Sequence, residues 1–199
     1  MHARDAREDA GGNRRDDRDT GDRQLLAQVA AGRRPAFETL YRSYFPRLER
    51  FLGSLTRDRS LVEEVINDAM HVVWRKADSF DASCKVSTWI FAIAFRTAKK
   101  AFRGVDPPEE ADFEALEDDG TGAPERLFAL HEMRDTVGAA LALLPAVQRA
   151  VVCLTYQHHL DYSDIAAILD CPVNTVKTRM FHARRRLRVL LADLKETER

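Results

Sequence analysis

Residues 160–190 read LDYSDIAAILDCPVNTVKTRMFHARRRLRVL, and this stretch decides the fold. Ile165, Ala166, Ile168 and Leu169 form a compact apolar face at helical spacing. Asp161 stands where an N-cap belongs, with Asp164 three residues on as in a capping box. Pro172 stops that helix, and Asn174 or Thr175 can cap a second one. Along the second helix, Val176, Met180, Ala183, Leu187 and Leu190 recur as a buried stripe would. Two helices joined by so tight a turn predict a helix-turn-helix, whose second helix typically enters the major groove of DNA.

The second helix has the chemistry for that task. Lys177, Arg179, His182, Arg184, Arg185, Arg186 and Arg188 surround the apolar stripe, and no acid lies between Asn174 and Leu191. Most charge runs are simply solvated faces. Cations without neighbouring acids, on the second helix of a tight turn, favour a phosphate lattice instead. They displace condensed counterions, while side chains near the helix start reach base edges.

A net charge of −1 over 199 residues looks wrong for such a protein until the charges are located. Asp106, Glu109, Glu110, Asp112, Glu114, Glu117, Asp118 and Asp119 crowd one segment that contains no base. The near-neutral total therefore hides a basic C-terminal part and an acidic middle. Cys84, Cys153 and Cys171 are scattered with no CxxC, which argues against a disulfide framework and for a reducing compartment. Adjacent His158 and His159 cannot both face one site from a regular helix, so no metal is expected, nor any cofactor. With no apolar signal core and no bilayer-long apolar stretch, the chain reads as cytoplasmic.

Residues 1–21 are rich in Arg, Asp and Gly and predict a disordered tail. From Asp22 the pattern is helical: Leu25, Leu26 and Val29 lead to Gly32 as a stop, and Pro35 opens a segment through Leu55. A third helix runs from Ser60 past Trp74, a loop covers about Asp78 to Lys85, and a fourth helix spans Ser87 to Arg103. Strand alternation is nowhere convincing. Residues 104–124, full of acids, Pro and Gly, read as a flexible acidic linker. Helical spacing resumes at Glu125, and Pro145 sits where an N1 proline would start the next helix. The expectation is an all-α chain of two small helical domains, 22–103 and 125–199, on an acidic tether.

The fourth helix, STWIFAIAFRTAKKAFR, mixes aromatics with Lys85, Arg96, Lys99, Lys100 and Arg103. Rings that stack bases beside cations that meet the backbone suit single-stranded nucleic acid. For any one of Trp89, Phe91 and Phe95, a core position is the better reading. The helix as a whole, in one chain with a duplex-reading module, points to capture of an open strand.

The chain resembles a bacterial RNA polymerase sigma factor of the extracytoplasmic-function (ECF) type, over about Asp22 to Leu191. GRRPAFETLYRSYFPRL is similar to the opening of the family's first conserved domain, and VEEVINDAMHVVWRKADSF to its polymerase-binding helix. KVSTWIFAIAFRTA looks like the segment that opens and reads the promoter −10 element. LPAVQRAVVCLTYQHHLDYSDIAAILDCPVNTVKTRMFHARRRL is similar to the domain that reads the −35 element. The resemblance implies that Lys177, Thr178, Phe181 and His182 face −35 bases, with Arg179 and Arg184 beside them on phosphates and Arg185 also among the −35 DNA-binding residues. It implies that Asp81 to Lys85, Thr88, Trp89, Arg96, Lys99, Lys100 and Arg103 hold the unpaired non-template strand at −10. It also places Glu63, Glu64, Asp68 and Trp74 on the β′ clamp helices of the polymerase. Two positions depart from the family: Phe95-Arg96 stands where relatives commonly show Arg-Asn, and His182 where Arg is usual.

The implied partners are core RNA polymerase (β′ clamp helices and β flap), promoter DNA, and an anti-sigma factor that wedges between the two domains. A stand-alone helix-turn-helix regulator is the alternative, and residues 37–103 argue against it by offering aromatics and cations where an effector domain needs a pocket. An enzyme is a distant third, with no Gly-rich phosphate loop, no G-x-S-x-G and no metal-spaced His/Cys set.

Overall fold

The computed structural model describes the backbone of residues 5–56, 58–101 and 133–197, and side chains over 18–56, 58–101 and 137–192. No strand occurs among the described residues. The first helical unit comprises α1 (Asp5–Ala30), α2 (Arg34–Gly53), α3 (Arg59–Lys76), a 3-10 turn (Ala77–Ser79) and α4 (Val86–Ala101). The second comprises α5 (Met133–Ala142), α6 (Ala146–Tyr156), α7 (Tyr162–Leu169) and α8 (Val173–Thr197).

Local chemistry sets most of these boundaries. Gly32 turns α1 into α2 with φ +76°, a left-handed conformation that costs glycine little. Pro35 sits in the first turn of α2, where its missing N–H has no helical partner to lose. Asp58 caps α3 by accepting from the Leu61 N–H at 3.2 Å, and that bond holds its carboxyl below the ordinary range. Tyr44, Leu48, Phe51, Ile66, Met70, Ile90 and Phe91 then close the core of the first unit from three helices.

The start of α1 corrects the sequence reading. Residues 1–21 were expected to be a disordered tail, yet the helix is continuous from Asp5. This segment has few apolar residues to bury, but its last turns are tied down by polar contacts to distant helices. Asp22 is buried and accepts from the Tyr44 hydroxyl at 2.5 Å. Burial raises its carboxyl pKa, against the opposing pull of that hydrogen bond and of nearby arginines. Asp19 pairs with Arg23 at 2.7 Å and accepts from the Val86 N–H at 2.9 Å. It thereby satisfies an orphan donor at the start of α4 and sets a negative charge at that helix's positive end.

In the second unit the apolar faces lie as the spacing requires: Ile165, Ala166, Ile168, Leu169, Val176, Met180 and Ala183 are buried, and Leu187 and Leu190 are half-buried. The caps differ in detail. Pro145 (φ −51°, ψ 142°) precedes the first helical residue of α6 as its cap rather than standing at N1. α8 begins at Val173, and the Val176 N–H donates to the Pro172 carbonyl at 3.3 Å, so Asn174 and Thr175 lie inside the first turn rather than capping it. Asp161 holds the N-cap position of α7, where its carboxylate accepts from the Ser163 hydroxyl at 3.4 Å and hydrogen bonding with Asp164 holds its pKa below the ordinary range. Between α7 and α8, Asp170 adopts φ 52°, and the Cys171 N–H donates to the Ala166 carbonyl at 3.1 Å. Aspartate is among the few L-residues that tolerate this left-handed corner. The acidic linker 104–124, the helix start at Glu125, Phe102 and Arg103 lie outside the described residues.

The two units are in contact rather than apart on a tether. α7 lies against α4 and α6 touches α2, so one apolar core runs through both. Arg149 of α6 fastens this junction. It donates to the Ser54 carbonyl at the end of α2, and to the carbonyls of Ala142 and Leu144 at 2.9 and 3.1 Å.

Candidate nucleic-acid interface

α8 presents its stripe inward and its cations outward. Lys177, Thr178, Phe181, Arg184 and Arg185 are exposed, Phe181 to 62%, while Arg179 and His182 are half-buried. A phenyl ring left this open on a well-packed helix is one that the fold does not need. His182 meets its edge at 5.5 Å. The Thr178 hydroxyl donates back to the Asn174 carbonyl at 3.0 Å, which leaves its oxygen lone pairs facing outward as acceptors.

Two cations of this helix are braced from outside it. Arg184 donates to the Tyr156 hydroxyl at 2.8 Å and lies 5.9 Å over the Tyr156 ring. Arg179 donates to the Cys171 sulfur at 3.5 Å. Neither Tyr156 nor Cys171 is marked as a brace by the local sequence pattern. The only trace is that Tyr156 is a large ring 53% exposed, and exposure cannot be read from a sequence.

The residues assigned to the open strand divide into two sets. Arg96, Lys99 and Lys100 are exposed at i, i+3 and i+4 on the last turns of α4. Thr88, at the other end, is only 1% exposed, and its hydroxyl donates to Asp164 of α7 at 2.8 Å. Lys85 donates to the same carboxylate at 2.9 Å and stands 3.9 Å from Asp161. Trp89 is half-buried, packed edge-on against Phe80 at 5.5 Å. Phe91 is core, 5.4 Å from Phe51, with the His158 ring at 4.9 Å and the Arg47 guanidinium 5.5 Å over its face. Burial beside Arg47 and Arg50 depresses His158 to a pKa of about 4. The loop before α4 is ordered by Asp81, which accepts from the Ser83 N–H at 3.0 Å, and by Arg23, which donates to the Cys84 carbonyl at 2.9 Å.

On α3, Glu63, Glu64 and Asp68 are exposed, with Glu64 and Asp68 one turn apart. Trp74 is half-buried, its ring edge-on to Phe37 at 5.1 Å. Beside it lies a groove of about 540 Å³ bounded by Phe37, Tyr41, Met70 and His71. Tyr41 donates to Asn67 at 2.7 Å and so holds the groove wall. Among the described residues no three His, Cys, Asp or Glu side chains gather as a metal site, and no helix is long and apolar enough to cross a membrane.

Residues 40–106 match the sigma-70 region 2 family and residues 134–187 match sigma-70 region 4. The chain is 31% identical over 175 residues to the RNA polymerase sigma-H factor of Pseudomonas aeruginosa, covering 82% of this chain and 90% of that one. It is 32% identical over 174 residues to the ECF RNA polymerase sigma-E factor of Escherichia coli, with the same coverage of 82% and 90%. Among solved structures it is similar to CnrH in complex with the cytosolic domain of CnrY: TM-score 0.63, 25% identity, 87% of this chain and 98% of that one. It is also similar to the sigma factor RpoE in complex with the anti-sigma factor NepR from Bartonella quintana: TM-score 0.55, 26% identity, 78% and 96% coverage.

Proposed function

The chain belongs to the sigma-70 family, in its ECF branch, as a factor that directs RNA polymerase to promoters, and on that premise we propose how its residues divide the work. Residues 22–103 dock on the polymerase and hold the melted −10 strand; residues 125–199 anchor on the −35 duplex. The observation that carries this division is the pairing of one exposed cationic helix, α8, with no acid between Asn174 and Leu191, with a second cationic helix, α4, on a separate unit.

On α8, Lys177, Thr178, Phe181 and His182 read base edges, and Arg179, Arg184 and Arg185 neutralise phosphates. The bracing of Arg179 and Arg184 supports that split. A phosphate contact gains from a guanidinium held in place, whereas base readers gain from reach. On α4, Arg96, Lys99 and Lys100, joined by Arg103, track the strand backbone, with Lys85, Thr88 and Trp89 at its entry. Glu63, Glu64, Asp68 and the Trp74 groove face the β′ clamp helices, and the second unit meets the β flap.

The protein works by binding and carries no reaction of its own. An anti-sigma factor is a further partner, a reading supported by the partners in the two structural relatives. An apolar groove of about 620 Å³ between the units, lined by Val137, Leu141, Val152 and Tyr156, has room for a few apolar side chains of such a partner. The stand-alone regulator is not favoured, because both matched regions are those of sigma-70 proteins.

Addition of the protein to sigma-free core polymerase with a library of genomic promoter fragments tests the reading. Transcripts with defined start sites are expected only when the protein is present. Equal transcription without it sinks the proposal.

A further inference from the structure

We propose that the helix-turn-helix unit masks the −10 face of its own chain, with Asp164 as the latch, so that the free protein is closed to single strands while its −35 face stays open. The inference rests on the strand-binding role proposed above for Lys85 and Thr88.

Asp164 does two things at once. One carboxylate oxygen accepts from Lys85 Nζ at 2.9 Å and the other from Thr88 Oγ1 at 2.8 Å. A carboxylate gripped by an ammonium and a hydroxyl is a chemical stand-in for a backbone phosphate. The strand therefore competes with Asp164 for the same two donors. Masking is steric as well as electrostatic: Thr88 is 1% exposed, and α7 covers this end of α4. The Asp164 side chain is 13% exposed against 39% for Lys85, so the carboxylate half of the pair is largely shielded from solvent.

Asp164 is the residue three past the N-cap of α7, and both of its carboxylate oxygens accept from the other unit. Asp161 stands nearby at 3.9 Å from Lys85 and reinforces the negative charge. Other contacts across the junction, among them Phe91 with His158, Arg149 with Ser54 and the Cys153 thiol with the Arg50 carbonyl, hold the second unit in register but touch none of the strand-binding residues. Lys177, Thr178, Phe181 and Arg185 remain exposed while the units are in contact. Closure thus taxes one DNA contact and spares the other.

A closed majority lowers apparent strand affinity by the fraction of molecules that are open. The test uses the full chain as wild type, Asp164→Ala and Asp164→Asn, with helical content followed by circular dichroism. Asp161→Ser, which keeps a capping side chain, is the milder variant. Two labelled probes are titrated by fluorescence anisotropy: a randomised pool of short single-stranded DNA and a randomised duplex. X-ray scattering gives the radius of gyration. Both Asp164 variants are expected to expand and to bind the single strands about five- to tenfold more tightly, with duplex affinity unchanged and Asp161→Ser in between. Folded Asp164 variants that neither expand nor gain strand affinity overturn the latch. Expansion without a gain in strand affinity overturns the masking. An equal gain on duplex and single strand overturns it too, by reducing the effect to the loss of a negative charge. Promoter-dependent transcription by the wild type with core polymerase is read separately, so failure of the underlying assignment shows there and not in these variants.

Discussion

Lys177 and Arg184 stand two turns apart on α8, and the fold gives them different freedom. Lys177 is exposed, while Arg184 is held by the Tyr156 hydroxyl at 2.8 Å. Lys177→Ala is therefore expected to relax discrimination among −35 sequences. Arg184→Ala should weaken all sequences evenly and flatten the dependence of log affinity on log salt by about one unit. Tyr156→Phe should act as a weaker Arg184→Ala, since it removes the brace and keeps the charge. Binding titrations on several duplexes at a series of salt concentrations check all three. At this scale the sequence showed which residues could meet DNA, because Lys, Arg and a turn proline announce themselves. It did not show that Tyr156 and Cys171 are their braces, nor that Asp164 faces another unit. Those are distances between residues far apart or differently oriented.

Among the elements, α4 is the one whose placement depends most on the rest of the chain. Its start lies on Asp19, which belongs to a segment with too few apolar residues to signal order. Asp19→Ala removes the acceptor for the Val86 N–H and the partner of Arg23, and is expected to destabilise the protein by about 1 kcal/mol. Gly138 gives the opposite case. It lies inside α5, and an added Cβ would meet nothing within 4 Å. Gly138→Ala is thus expected to stabilise by about 0.5–1 kcal/mol, through the lower entropy of the unfolded chain and better helix propensity. Thermal melts of the two variants against wild type should move in opposite directions. The helices themselves were legible from apolar spacing, and their ends from Gly32, Pro35 and Pro172. The starts that were misplaced at α6 and α8 are those where the Pro145 or Pro172 carbonyl takes a first-turn N–H and no side chain caps the helix.

At the scale of the molecule, the junction between the units has a titratable group at its centre. His158 is packed on Phe91, and burial beside Arg47 and Arg50 lowers its pKa from 6.5 to about 4. The folded state therefore refuses a proton that the unfolded or opened state accepts. Above about pH 6.5 both states are neutral and His158 contributes nothing to pH dependence; between there and about pH 4 stability falls as pH falls. His158→Phe keeps a ring on Phe91 and removes the proton site. Its melting temperature is expected to vary less than the wild type's over that window, as melts at a series of pH values would read. An unchanged pH dependence would show that His158 is not the group responsible.

The sequence by itself determined that this protein is all-α, that it carries a helix-turn-helix whose second helix is cationic and free of acids from Asn174 to Leu191, and that four motifs stand in the order of an ECF sigma factor. Those properties follow from period, cap chemistry and charge, which act over a few residues and are written in neighbouring letters. Only the tertiary structure decided that the two units close on each other. Closure depends on Asp164 finding Lys85 and Thr88 across 79 and 76 residues of chain. It depends equally on Arg149 finding Ser54 across 95. Pairings that distant are fixed by the packing of whole helices, and no local pattern encodes them.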